Sequence, residues 1–158
     1  MSAGLPALVE PFRCADRGAR FQGAIPLARL SRLGESLLDR EGSAVLDLAF
    51  GRDERGRAVV TGRVAAELRL RCQRCLEPVA MAIEAPVHLA VVASDAEAER
   101  LPEELDPLLV EAQLSLAQLV EDELILALPV IPAHGGEGCP NALVEPYRVA
   151  ADPDAGAP

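Results

Sequence analysis

A pair of cysteines between two stretches of alternating polarity constrains this chain more than any other feature. Cys72 and Cys75 form a C-x-x-C turn, and Pro78 begins the next alternating stretch. Two thiolates on a tight turn between strands provide half of a tetrahedral zinc site. A glycine-rich loop further along the chain contains His134 and Cys139, which are the candidate second half. The fold would have to bring two distant segments together to complete such a site.

The cysteine and histidine set allows two interpretations. Closed zinc sites with four protein ligands are structural, so the Cys3His set predicts a structural zinc ion. In the alternative, Cys72 and Cys75 are reduced thiols packed in a turn, while His134 projects into solvent. A redox role is disfavoured, because a strand pattern follows the turn where a catalytic thiol pair would open a helix. The sequence alone leaves the zinc and packed-thiol interpretations both open.

Sequence signatures of common catalytic sites are absent from the chain. There is no Walker A loop, no G-x-G-x-x-G and no G-x-S-x-G. The zinc-deaminase signature places H-x-E before its cysteines, whereas His88 is followed by Leu89 and Ala90 and comes after the C-x-x-C turn. We therefore expect the protein not to be an enzyme.

Alternation with a period of two predicts the main strands. Residues 44–51 and 57–71 alternate on either side of a hairpin loop at 53–56, and residues 79–93 alternate after the C-x-x-C turn. Antiparallel strands of this kind have one core face and one wet face. Shorter strands are predicted at residues 7–13, 20–24 and 107–110.

Two helices are predicted from leucine spacing and from end signals. Residues 25–41 carry leucines at helical spacing, and Gly42 is suited to the position after a helix. Residues 114–128 begin with Ser115 as the N-cap, and Gln118 completes a capping box. The predicted fold class is therefore α+β: a mostly antiparallel β-sheet with two helices packed on one face.

The chain length indicates one domain, expected to span residues 1–144, with a disordered tail at residues 145–158. No apolar run approaches the length of a membrane span, and the N-terminus lacks the features of a secretory signal. Four cysteines in such a chain are expected to be reduced or metal-bound. We therefore expect a cytoplasmic protein without membrane contact, whose oligomeric state the sequence does not specify.

Basic residues are concentrated in one part of an acidic chain. The net charge is -10, and all 15 basic residues are arginines. A solvated protein face is one interpretation of the cluster between residues 52 and 74. The other is RNA binding, because guanidinium groups bind phosphate in a bidentate manner. The candidate RNA-binding residues are Arg63, Arg69 and Arg71 on the polar face of the strand at 57–71, and Arg74 in the C-x-x-C turn.

Three sequence blocks, in this order and spacing, resemble a known protein family. They are C-Q-R-C-L-E-P at residues 72–78, L-P-E-E-L-D-P at 101–107, and L-V-E-D-E-L-I-L-A-L-P-V-I-P-A-H at 119–134 followed by Cys139. The blocks resemble the YceD family, the large ribosomal RNA subunit accumulation proteins of bacteria, with plastid relatives. The resemblance covers most of the chain, and the block that ends in L-P-x-x-P-x-H is its most specific part.

The resemblance implies a process rather than a reaction. It implies a non-enzymatic factor for the synthesis, processing or stability of 23S rRNA during large ribosomal subunit biogenesis. The implied partners are 23S rRNA or its precursor, and a ribosomal protein or assembly factor. The alternative function is an adaptor that docks a ribosomal protein or assembly factor through an acidic helix without touching RNA.

The resemblance also suggests roles for particular residues. It implies a metal or structural cluster of Cys72, Cys75, His134 and Cys139, with zinc as the expected ion. Glu121, Asp122 and Glu123 match the family's acidic helix. We expect Glu121 and Asp122 to face water, where they form a candidate docking surface for a basic partner.

Overall fold

Residues 4–135 and Cys139 are the part of the chain that the computed structural model describes. No helix within these residues is long and apolar enough to cross a membrane. The predicted tail at residues 145–158 lies outside them. The elements in chain order are β1 (Leu8–Val9), α1 (Pro11–Arg17), β2 (Arg20–Pro26), a 3-10 turn (Leu27–Arg29), α2 (Ser31–Gly34), β3 (Ser43–Arg52), β4 (Ala58–Arg71), β5 (Pro78–Val92), α3 (Asp95–Glu99), β6 (Asp106–Leu109), β7 (Leu114–Ser115) and α4 (Leu116–Ala127).

The centre of the fold is a five-stranded sheet with the strand order β2-β3-β4-β5-β6, and β1 pairs with β7 separately. Neighbouring strands of the large sheet are antiparallel, except that β6 runs parallel to β5. The ladder between β4 and β5 runs from Val59 opposite Ala90 to Arg71 opposite Pro78. The last of these pairs leads directly into the C-x-x-C turn. The predicted α+β class with a mostly antiparallel sheet is confirmed.

The alternation in the sequence separates a core face of the sheet from an open face. Most even-numbered residues of β3 and β4 and most odd-numbered residues of β5 are buried, while the residues between them are largely exposed. Helices α1 and α4 contribute Cys14, Leu119 and Leu124 to the same apolar core. Each fully buried leucine stabilises the fold by about 2 kcal/mol relative to an exposed one. The open face carries no such helix within the described residues.

The strand predictions after residue 20 and the second helix prediction are confirmed. Strands β2 to β6 match the predicted strands to within two residues at most ends. Helix α4 begins after Ser115, whose hydroxyl accepts the N–H of Gln118 at 3.2 Å. The acidic segment before β6 contains the short helix α3. Local patterns and end signals were sufficient for these elements.

The long helix predicted at residues 25–41 is wrong. Strand β2 continues to Pro26, whose ψ of 135° is extended, and only the 3-10 turn and the four-residue α2 follow. Leu27, Leu30 and Leu33 are nevertheless buried. A spacing of three residues aligns side chains on a 3-10 turn as well as on an α-helix, so the leucine pattern could not distinguish the two.

The strand predicted at residues 7–13 is also largely wrong. Only two residues of this range form the strand β1, and Pro11 begins α1. Proline suits this position because the N–H that it lacks would have no partner within the helix. Gly18, in a left-handed conformation with φ of 64°, ends the helix. Cys14 therefore lies inside a helix, where it is reduced and buried.

Candidate metal centre

The turn that joins β4 to β5 positions two cysteine side chains. The N–H of Cys72 donates to the carbonyl of Glu77 at 2.9 Å, and the N–H of Leu76 donates to the carbonyl of Cys72 at 2.8 Å. Leu76 has a φ of 65°, a left-handed conformation that costs a non-glycine residue about 1–2 kcal/mol. The sharp reversal places the thiols of Cys72 and Cys75 in one buried space.

The segment that follows α4 is fixed against this turn by backbone contacts. The N–H of Gln73 donates to the carbonyl of Pro132 at 2.8 Å. The guanidinium of Arg74 donates to the carbonyl of His134 at 2.6 Å. These two hydrogen bonds hold the imidazole of His134 beside the thiol of Cys75, which is 59 residues away in sequence.

The four predicted ligands lie together. The sulfurs of Cys72 and Cys139 are 3.6 Å apart, and the sulfur of Cys75 is 3.6 Å from Nδ1 of His134. All four donor atoms lie within 4.8 Å of one another. Tetrahedral zinc with bonds of ~2.3 Å to sulfur and ~2.0 Å to nitrogen would separate two sulfurs by about 3.8 Å and sulfur from nitrogen by about 3.5 Å. The donor atoms and their spacing therefore fit a closed zinc site.

The imidazole of His134 is oriented as a metal ligand through Nδ1. Its Nε2 lies 3.1 Å from the carbonyl of Pro78. A carbonyl can only accept, so Nε2 carries the proton and Nδ1 presents its lone pair to the sulfurs. Metal-bound histidines usually donate their second ring N–H to a carbonyl or carboxylate in this way, which fixes the tautomer.

The environment shifts the pKa values of Cys72 and Cys75 in opposite directions. Burial opposes a charge on Cys72, but backbone N–H groups of the turn and of His134, together with the imidazole, outweigh it and lower the pKa of Cys72 to about 5. Burial raises the pKa of Cys75, and the sulfurs of Cys72 and Cys139 raise it further. A cation would stabilise the thiolate form of every sulfur in the cluster, because metals bind cysteine as thiolate.

The geometry bears on the zinc interpretation and the packed-thiol interpretation through the position of His134. The cysteines are reduced and buried in both interpretations, as the structure shows. His134, however, does not project into solvent: it is partly buried and bonded through its ring and its carbonyl. The cluster is thus one that could hold a metal ion. Residues 136–138 of the glycine-rich loop lie outside the described part of the chain.

Comparisons with known proteins agree on one family. The family model described as Large ribosomal RNA subunit accumulation protein YceD matches residues 60–154. A protein of that name from Haemophilus influenzae is 36% identical over 137 residues, which cover 85% of this chain and 79% of that protein. The chain belongs to the YceD family. The YceD match includes all four residues of the candidate metal centre, and the family is named as an accumulation factor, not as an enzyme. No solved structure matches this chain.

Three of the four candidate RNA-binding arginines of this YceD-family chain lie on the open face of β4. Arg63, Arg69 and Arg71 are exposed and alternate with core positions. Arg63 pairs with Glu84 at 2.9 Å, and Arg69 pairs with Asp39 at 3.2 Å. The guanidinium of Arg71 has no ion pair with any residue of the described part. The row of arginines leads along the strand to the metal centre.

The expectation that Glu121 faces water is wrong. Its side chain is buried, and its carboxylate accepts the N–H of Arg32 at 2.8 Å and that of Leu33 at 3.0 Å. The guanidinium of Arg32 adds an ion pair at 3.1 Å to Glu121 and one at 2.7 Å to Asp122, which does face water. Glu121 therefore fastens α4 to the start of α2 and is not available as a docking residue.

Sequence reasoning missed the contribution of Arg32. A carboxylate that accepts N–H groups in the first turn of a helix is a common arrangement, because those groups have no partner within the helix. The acceptor here, Glu121, is 89 residues from Arg32, so no local signal connects the two. Only the packing of α4 beside α2 reveals the pair.

Replacing Glu121 with glutamine should therefore destabilise the fold. We expect Glu121→Gln to lower the free energy of unfolding, measured in urea, by about 1.5–3 kcal/mol, because hydrogen bonds to a charged acceptor are lost from a buried site. The matched control is Asp122→Asn, which removes one charge from the adjacent exposed residue and should cost less than about 1 kcal/mol. Equal losses in the two variants would contradict the anchoring role of Glu121.

Proposed function

We propose that this chain is a non-enzymatic cytoplasmic factor that supports 23S rRNA accumulation during large-subunit assembly by binding precursor rRNA. Family membership supplies the process, since the family is named for the accumulation of large-subunit ribosomal RNA. The observation that carries the RNA-binding step is a row of arginines on the open face of the sheet. We call Arg63, Arg69, Arg71 and Arg74 the arginine face.

The surroundings of the arginine face leave it accessible. Across the ladder, Arg69 lies opposite Ala80 and Arg71 lies opposite Pro78, so neither has a bulky neighbour on β5. Residues two apart on a strand point to the same side and are about 7 Å apart. Arg69 and Arg71 therefore present adjacent guanidinium groups along the strand, as a chain of phosphates would require.

The ion pairs on the arginine face do not oppose this proposal. Glu84 and Asp39 hold Arg63 and Arg69 through exposed or partly exposed contacts. Exposed ion pairs typically contribute only about 0–1 kcal/mol, and salt screens them. A phosphate that accepts two parallel N–H groups from one guanidinium is a stronger partner. The acidic residues can thus orient the arginine side chains in the free protein, and RNA phosphates can replace them as partners on binding.

The net negative charge of the molecule would restrict RNA to the surface where arginines are concentrated. The chain as a whole carries -10, although 7 of its arginines fall between residues 52 and 74. Phosphate is repelled by acidic surfaces, so non-specific coating by nucleic acid is disfavoured. Binding would be confined to one side of the sheet.

The metal centre contributes to this proposal as a structural clamp. We propose that zinc is the ion held by the Cys3His cluster, because three sulfurs and one imidazole nitrogen are the donors of closed zinc sites. The clamp would fix the end of the β4–β5 hairpin and, through the hydrogen bond from Arg74 to His134, one end of the arginine face. No step of catalysis is assigned to it.

Neutralising the arginine face should weaken RNA binding and reduce its dependence on salt. The variant is Arg63→Gln/Arg69→Gln/Arg71→Gln. Its affinity for a single-stranded segment of precursor 23S rRNA is measured by fluorescence anisotropy at salt concentrations from about 50 to about 300 mM, where phosphate contacts dominate affinity. Loss of three phosphate contacts should make the negative slope of log K against log salt shallower by about 2.

The matched control removes the same charge elsewhere. Arg29, Arg55 and Arg100 are exposed and have no ion pair within the described residues, so Arg29→Gln/Arg55→Gln/Arg100→Gln should leave the slope nearly unchanged. An equal reduction in both triple variants, or an unchanged slope in the arginine-face variant, would contradict RNA binding through this surface.

The zinc proposal predicts a specific loss of metal. Protein purified from zinc-supplemented cells should contain a single zinc ion per chain by plasma mass spectrometry. Cys75→Ser should abolish that zinc content, because it removes one of the four proposed zinc ligands. Cys14→Ser replaces a buried cysteine in α1, away from the cluster, and should retain the zinc. Metal-free wild-type protein, or zinc retained by Cys75→Ser, would count against a Cys3His zinc site.

A further inference from the structure

A groove lies between α4 and β6 on the side of the sheet away from the arginine face. Its volume is about 620 Å³. The floor contains Leu89 and Leu119, which are buried, and the walls contain Leu108 and Ile125, which are partly buried. The groove is therefore apolar inside and open to solvent above.

An exposed leucine marks the rim of this groove. Leu126 lies in the last turn of α4 and is 80% exposed. Contiguous apolar surface that is rimmed by polar residues is a common feature of surfaces that bind other proteins. Leu126 extends the apolar floor outward, so a partner side chain could bury both.

The remaining rim residues give the groove a negative charge. They are Asp106 on β6 and Asp122 and Glu123 on α4. Arg32 is the cationic residue of the rim, and its guanidinium is already bonded to Glu121 and Asp122. Neither Asp106 nor Glu123 has an ion pair with any residue of the described part. Partial burial, followed by the charges of Asp106 and Asp122, raises the pKa of Glu123, which a cation placed there would reverse.

We propose that the groove binds a short basic, amphipathic segment of a partner protein. Apolar side chains of the segment would occupy the floor and cover Leu126, while arginine or lysine side chains would pair with Asp106 and Glu123. This inference goes beyond the proposed RNA binding and does not depend on it, because the two surfaces lie on opposite faces of the sheet. A chain that binds both ligands could hold a basic protein next to RNA.

The chemistry of the groove disfavours other occupants. RNA phosphates would be repelled by the carboxylates of the rim. The chain's own residues 140–158 contain one arginine, Arg148, against the three carboxylates of Glu145, Asp152 and Asp154. A second copy of the chain carries a net charge of -10, so its overall charge opposes approach to an acidic rim, and self-association is an outcome that the test below distinguishes. A basic segment is the occupant whose charge complements the site.

The test uses fluorescein-labelled peptides of about 12 residues, a length sufficient for one amphipathic segment in a groove. One peptide alternates arginine with leucine, and a second replaces every leucine with serine. Anisotropy with the full chain should show clearly tighter binding of the arginine–leucine peptide. Asp106→Asn/Glu123→Gln should raise its Kd by about tenfold, and Leu126→Ser should raise it without any change in charge.

The control separates the groove from general attraction between a basic peptide and an acidic protein. Glu41→Gln/Glu54→Gln removes two charges from exposed positions outside the groove and should change the Kd by less than about twofold. Leu126→Ser changes a highly exposed side chain, so the test remains valid if the charge variant folds poorly. Equal weakening by the control pair, equal binding of the serine peptide, or displacement of the peptide by RNA or by self-association of the chain would overturn the proposal.

Discussion

The meeting of the β4–β5 turn with the loop after α4 is the contact on which the site depends. Cys72 and Cys139 are 67 residues apart in sequence, yet their sulfurs are 3.6 Å apart. Hydrogen bonds from Gln73 to Pro132 and from Arg74 to His134 hold the segment that contains His134 against the turn without an ion. The imidazole is thus positioned in advance, which reduces the conformational entropy that a metal ion would otherwise have to overcome.

The sheet gives the molecule two chemically different sides. Its core face is filled by aliphatic residues of the strands and of α1 and α4. Its open face carries exposed arginines on β4, and the Cys3His cluster lies at the end of that strand. Helix α4, which contributes to the core, also forms, with β6, the acidic groove on the opposite side. One β-sheet therefore carries the row of arginines, with their partners Glu84 and Asp39, on one side and the acidic rim of the groove on the other.

Sequence patterns predicted the parts of this arrangement that depend on neighbouring residues. The period of two predicted β3, β4 and β5, and Ser115 as the N-cap predicted the start of α4. The Cys3His grouping was one of two interpretations that the sequence left open, and it was proposed because soft ligands on a turn and on a glycine-rich loop are chemically distinctive. The helix at residues 25–41 failed because leucines three residues apart fit both a 3-10 turn and an α-helix. The prediction that Glu121 faces water was wrong because its partner, Arg32, is 89 residues away in sequence. The groove was missed because α4 and β6 form it only after they pack.

The most direct test of the central claim is X-ray absorption spectroscopy at the zinc edge of the purified full chain. Three cysteines and Nδ1 of His134 predict a first shell of three sulfurs at ~2.3 Å and one nitrogen at ~2.0 Å. That result would show that the turn and the loop share one ion. A shell made only of oxygen and nitrogen, or one with only two sulfurs, would contradict the proposed clamp.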